Sequence, residues 1–156
     1  MPEVGDRAPD FTAVDTDGRP IALADFAGAP LVLYFYPKDD TPGCTAEACG
    51  FRDQTEAFLG RGAAIVGVSR DNPASHRRFT TKYGLPFRLV ADTDEAVCRA
   101  YDVMREKVNY GRKYFGVERT TYVIDAAGVI HAKFAKVSVN GHVAKVLQAI
   151  EECVGE

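Results

Sequence analysis

No stretch of the sequence approaches the roughly 20 uninterrupted apolar residues of a membrane-spanning helix, so a soluble protein is expected. The opening residues, Met1 to Arg7, lack the basic start and apolar segment of a secretory signal, which makes cytoplasmic residence the expectation. An excess of basic charge is missing as well: 19 Lys and Arg lie interspersed among 22 Asp and Glu, for a net charge of −3. That balance excludes the positive footprint of a nucleic-acid binder and favours a small neutral or thiol-bearing substrate. With no repeats, low-complexity stretches or linkers, residues 1–156 are expected to form one domain around one core.

Cysteine is scarce. Cys44, Cys49, Cys98 and Cys153 are too few for a disulfide scaffold in a chain of this size, which leaves metal ligands, reactive groups or core residues. His76, His131 and His142 are scattered, so a zinc site lacks paired ligands at suitable spacing. The C-x-x-C spacing of a thioredoxin-type disulfide exchanger is also absent.

What is present reads as alternating α/β structure. Pro30 to Pro37 is a continuous apolar run rich in β-branched and aromatic residues, as in a strand buried on both faces. Ala63 to Ser69 repeats that character, Phe87 to Val90 adds a short strand, and Thr121 to Asp125 with Val129 to Phe134 reads as a hairpin. Phe11 to Ile21 suggests a small hairpin turning at Asp17-Gly18. Helices are predicted from about Thr45 to Leu59, from Pro73 to Tyr83 with Asn72 as N-cap and Gly84 as stop, from Asp94 to Tyr101, and from Gly141 to Val154. This order describes a mixed sheet with helices on both faces and suits a thioredoxin-like fold, although a flavodoxin-like arrangement gives similar local signals.

The central strand runs into Lys38-Asp39-Asp40-Thr41-Pro42-Gly43-Cys44-Thr45-Ala46-Glu47-Ala48-Cys49. In open α/β sheets, ligands bind beyond the carboxyl ends of the strands, and Cys44 falls there, in the first turn of the next helix. A cysteine so placed faces unpaired backbone N–H groups and the positive end of the helix dipole, which favour the thiolate and predict a lowered pKa. Thr41 is placed either to cap the helix or to bond a bound oxygen atom. Pro37 and Pro42 stiffen the loop and bring no backbone N–H.

The spacing Pro37-x-x-x-Thr41-x-x-Cys44 resembles the signature of the peroxiredoxins. The run from Tyr34 through Arg52, with Cys49 five residues after Cys44, is similar to the bacterioferritin comigratory protein, or peroxiredoxin Q, subfamily. Gly5 to Phe11 and Glu118 to Asp125 extend the similarity along nearly the whole chain. The resemblance implies a thioredoxin-like fold with an N-terminal β-hairpin, and a peroxidase acting on hydrogen peroxide and organic hydroperoxides without metal, haem or flavin. It implies that Cys44 is the peroxidatic cysteine, that Thr41 bonds the peroxide, that Pro37 shields the thiolate from water and that Arg119 stabilises the developing charge. It further implies Cys49 as resolving cysteine, thioredoxin or a similar dithiol protein as reductant, and a monomer, in keeping with a sequence showing no clear apolar stripe for a partner.

Helix geometry adds a condition. Positions five apart on an ideal helix have Cα atoms roughly 8.6 Å apart, beyond the ~7 Å reach of a disulfide. If Cys44 and Cys49 share one intact helix, it must unwind locally before their sulfurs meet. Several readings stay open. Cys49 also suits a buried apolar position; Cys98 suits a core position or an alternative resolving role; Cys153 suits a bystander. Glu47 either orients Arg119 or complements the helix dipole. Tyr110, Tyr114 and Phe115 either wall the substrate crevice, pack in the core or lie on a loop face. A redox sensor and an inert thioredoxin-like module are the competing functions.

Overall fold

Two short strands, Thr12–Val14 (β1) and Pro20–Ala22 (β2), pair antiparallel around a turn in which Asp15 Oδ1 accepts from the amides of Asp17 and Arg19. The computed structural model describes residues 2–155. The continuous apolar run becomes Leu31–Phe35 (β3), buried throughout. A polar loop leads to Pro42–Asp53 (α1) and Thr55–Gly60 (α2), followed by Ala64–Ser69 (β4), Pro73–Tyr83 (α3), Arg88–Ala91 (β5) and Ala96–Ala100 (α4). Met104–Asn109 (β6) and Arg112–Val117 (β7) form a separate ribbon, and Thr120–Ile124 (β8), Ile130–Phe134 (β9) and His142–Val154 (α5) complete the order.

The main sheet has the strand order β5, β4, β3, β8, β9, with β3, β4 and β5 parallel and β8 antiparallel to both β3 and β9. Side chains alternate along a strand, so Leu31, Leu33 and Phe35 enter one core while Val32 and Tyr34 enter the other. The first core contains Phe11 and Ile21 from the N-terminal segment, with Cys98 and Tyr101 at α4. The second contains Ala48 and Phe51 of α1, Phe58 of α2, Phe79 of α3, and Val146 and Ile150 of α5. Full burial of a side chain such as Phe51 contributes about 1.5–3 kcal/mol, and this packing holds α1 on the sheet. The expected mixed sheet, with helices on both faces and an N-terminal hairpin, is the observed class.

Local chemistry sets the ends of α3 as the sequence predicts. Asn72 accepts from the Ser75 amide at 2.8 Å, Pro73 fills the first helical position, and Gly84 closes the helix at φ +62°.

Two expectations need correction. The helix predicted from Thr45 to Leu59 begins at Pro42 and breaks at Gln54, where the backbone turns to φ −106° and ψ 10°; Leu59, counted toward its apolar face, is exposed. The ribbon of β6 and β7 was not anticipated. Its strands are charged and largely exposed, so they lack the alternation that marks a half-buried strand. Tyr110 and Gly111 form its two-residue turn, with φ of +52° and +76°, the paired positive angles of a tight hairpin.

Candidate active site

Beyond the carboxyl end of β3 the chain enters α1 through Thr41 as N-cap and Pro42 at the first helical position, which makes Cys44 the third helical residue. Amides of a first helical turn have no partner within the helix. Cys44 is 1% exposed. Thr41 does not cap with its side chain: its hydroxyl donates to the Lys38 carbonyl at 2.8 Å, while its own carbonyl accepts from Thr45 at 2.8 Å. Pro37 is half-buried at the start of the loop.

Arg119, in the short link between β7 and β8, reaches back to α1. Its Nη2 donates to Cys44 Sγ at 3.3 Å and its Nη1 donates to Glu47 Oε1 at 2.7 Å. Cys44 and Glu47 lie three apart on one helix face, so a single guanidinium spans both. Gly43 makes room for it, since a Cβ there would stand 3.1 Å from Nη2. Of the two readings for Glu47, the contact supports orientation of Arg119.

Glu47 is fully buried, and burial raises its pKa to about 7 although Arg119 acts the other way. Its Oε2 accepts no hydrogen bond among the described residues and lies 3.6 Å from His142 Nε2, which is itself 2.8 Å from Thr121 Oγ1. His142 is driven the opposite way, down to about 4, by burial and then by the charges of Arg119 and Lys145. At neutral pH its imidazole is uncharged. The site thus combines a buried thiol, a guanidinium against it, and a carboxyl and imidazole poised on the far side. That arrangement suits a nucleophilic sulfur whose negative charge is stabilised by Arg119.

A family model described as AhpC/TSA matches residues 4–133. The chain belongs to the AhpC/TSA family, in its Bcp/peroxiredoxin Q branch. It is 50% identical over 145 residues to a putative peroxiredoxin bcp of Coxiella burnetii, covering 93% of this chain and 96% of that one. It is 44% identical over 150 residues to peroxiredoxin Bcp of Bacillus subtilis, covering 96% of each. Among solved structures, it matches the bacterioferritin comigratory protein of Xanthomonas campestris with a TM-score of 0.90 and 41% identity, over 99% of this chain and 98% of that one. That protein was solved in trapped intermediate and ligand complexes bearing on its alkyl peroxide reduction activity. The present chain is a thiol-dependent peroxidase with a thioredoxin-like fold.

In this peroxiredoxin, Cys49 is half-buried on α1, and the helix is unbroken from Cys44 through Cys49. Cys98 lies in the core on the opposite face of the sheet. Burial and the Asp92 carboxylate push its thiol pKa well up, and Asp92 Oδ2 accepts from the Cys98 amide at 2.7 Å. The sheet therefore separates Cys98 from Cys44 in the folded state. Cys153 is half-buried near the end of α5.

Tyr110 and Phe115 are not core residues, being 98% and 63% exposed on the ribbon. They and Val108, which the sequence did not single out, are exposed apolar positions. Tyr114 pairs across the ribbon with Lys107, whose pKa is lowered by burial and by neighbouring Arg119. Sequence reasoning also missed Thr121 and His142 behind Glu47, and Asp39 beside the motif. The consecutive aspartates Asp39 and Asp40 were the available signal.

Proposed function

We propose that Cys44 reduces hydrogen peroxide and organic hydroperoxides, and that Cys49 resolves the product as an intramolecular disulfide. The Cys44 thiolate attacks a peroxide oxygen, so an S–O bond forms and the O–O bond breaks. The departing oxygen takes up a proton, leaving a sulfenic acid on Cys44 and water or an alcohol. Arg119 donates toward the charge that moves from sulfur to oxygen. Thr41 turns its hydroxyl to the peroxide, and Pro37 keeps water from the thiolate. The Cys49 thiol then attacks the sulfenic sulfur, forming the disulfide and releasing water. Thioredoxin, or a similar dithiol protein, returns both cysteines to thiols and is itself oxidised. The enzyme works as a cytoplasmic monomer without metal or organic cofactor; among the described residues no helix is long and apolar enough to cross a membrane.

The observation that carries this reading is the contact of Arg119 with both Cys44 Sγ and Glu47. Because Cys44 and Cys49 share one continuous helix, α1 must unwind between oxidation and disulfide formation. The disulfide then becomes accessible to the reductant in the unwound segment.

A coupled assay with thioredoxin, its reductase and hydrogen peroxide tests the assignment. Wild-type protein is expected to turn over continuously and Cys44→Ser to be inactive. Cys49→Ser is expected to oxidise once at Cys44 and then stall with thioredoxin. Sustained turnover by Cys44→Ser would reject the proposal.

A further inference from the structure

We propose that α3 positions the peroxide-reacting segment, with His76 and Tyr83 as its positioning residues; this rests on the roles given above to Cys44 and Cys49. The two aspartates before Thr41 both turn their carboxylates onto α3. Asp39 is buried: its Oδ1 accepts from the Tyr36 hydroxyl at 2.6 Å, and its Oδ2 accepts from the Ser75 hydroxyl at 2.8 Å and lies 2.7 Å from His76 Nδ1. His76 is fully buried, and its Nε2 sits 2.9 Å from the Val90 carbonyl. A carbonyl only accepts, so Nε2 carries a hydrogen, and a further proton lies between Nδ1 and the Asp39 carboxylate. The Asp39 amide in turn donates to Asp71 Oδ2 at 2.9 Å, which also accepts from the Ser69 hydroxyl at 2.6 Å.

Asp40 adopts a left-handed φ of +56°, a conformation that needs its surroundings to hold it. Lys82 Nζ and the Tyr83 hydroxyl each donate to its carboxylate at 2.8 Å. Tyr83 also serves the other end of α1, because its carbonyl accepts from Arg52 Nη1 at 2.8 Å, in the helix's last turn. One residue of α3 therefore ties both the loop before α1 and the end of α1. Residues 41–51 lie between these anchors, and Cys44, Cys49, Gly43 and Gly50 are all among them.

The two chemical steps make opposite demands on this segment. Oxidation requires Cys44 and Thr41 to stay fixed relative to Arg119, whereas disulfide formation requires α1 to open. Cutting the α3 anchors should therefore slow the first step and speed the second. A core variant on the far face of the sheet, Ile130→Val, lowers stability without touching these anchors and should leave the ratio of the two rates at its wild-type value. The exposed Lys82–Asp40 pair contributes least, and the buried His76–Asp39 contact is the main anchor.

Rapid-quench mass spectrometry with hydrogen peroxide follows Cys44 oxidation and Cys44–Cys49 disulfide formation separately. His76→Phe keeps a ring but loses both its bonds, and should oxidise about tenfold or more slowly while closing the disulfide several-fold faster. Asp39→Asn can donate to a neutral His76 ring and should stay close to wild type. Tyr83→Phe should shift both rates in the directions of His76→Phe, by less. If His76→Phe does not fold, Tyr83→Phe combined with Arg52→Met decides the matter with the same expected split. Variants whose two rates stay at the wild-type values, or fall together, overturn the proposal. A wild-type protein that does not oxidise at Cys44 rejects the underlying functional reading instead.

Discussion

Arg119 divides its guanidinium between a sulfur and a carboxylate, and that division governs what each neighbour can do. Removing it leaves Cys44 without its side-chain donor and Glu47 buried without a counter-charge. Arg119→Met should therefore lower the rate of Cys44 oxidation by about 10²–10³, measured by stopped-flow with hydrogen peroxide; a loss of less than about tenfold would remove Arg119 from the chemistry. Glu47 and His142 give opposite contributions to stability against pH. The folded state holds the Glu47 proton up to about pH 7, against 4.5 for the free group, so stability falls as pH rises through that window. His142 is held near 4, against 6.5, so the unfolded state holds the extra proton and stability rises with pH through its window. Each effect is about 3 kcal/mol, and between pH 4.5 and 6.5 they largely cancel. Urea denaturation should show a nearly flat wild-type profile there, a rising one for Glu47→Gln and a falling one for His142→Gln. Parallel profiles for all three would show that the burial of this pair carries no such linkage.

At the scale of elements, the proposed resolution step requires α1 to open between Cys44 and Cys49. This helix carries Gly50 beside Cys49, and a Cβ at Gly50 would meet Val143 Cγ2 of α5 at 2.9 Å. Glycine inside a helix costs about 0.5–1 kcal/mol relative to alanine. Gly50→Ala combined with Val143→Ala relieves the clash and keeps the gain in helix stability. Disulfide formation should then slow by about two- to fivefold, as followed by rapid quench after a single oxidation. An unchanged rate in a more heat-stable protein would mean that α1 is not the segment that opens. Elements were legible in the sequence wherever their signals were local and apolar. The run through β3, and the Asn72, Pro73 and Gly84 boundaries of α3, needed only nearest neighbours. The break at Gln54 had no proline or glycine to announce it, and the β6–β7 ribbon hid its strands behind charge.

At the scale of the whole molecule, the sheet divides the cysteines, with Cys44 on one face and Cys98 on the other. The position of Cys44 was readable because the strand, loop and helix that define it are contiguous. Arg119 lies 75 residues farther along, and only the family resemblance joined it to Cys44 before the structure did. The His76–Asp39 contact spans 37 residues and the Glu47–His142 approach links α1 to α5, so local sequence does not reveal either pairing. Turnover depends on which cysteine reacts with peroxide and which one closes the bond. The most direct measurement is peptide mapping by mass spectrometry after one equivalent of hydrogen peroxide, on wild type and on Cys49→Ser treated with a sulfenic-acid trap. Wild type is expected to show a Cys44–Cys49 linkage within one chain, and the variant to carry the trap on Cys44. A linkage through Cys98 or Cys153, a bond between chains, or trapping at another cysteine would overturn the assignment of Cys44 as nucleophile and Cys49 as resolver.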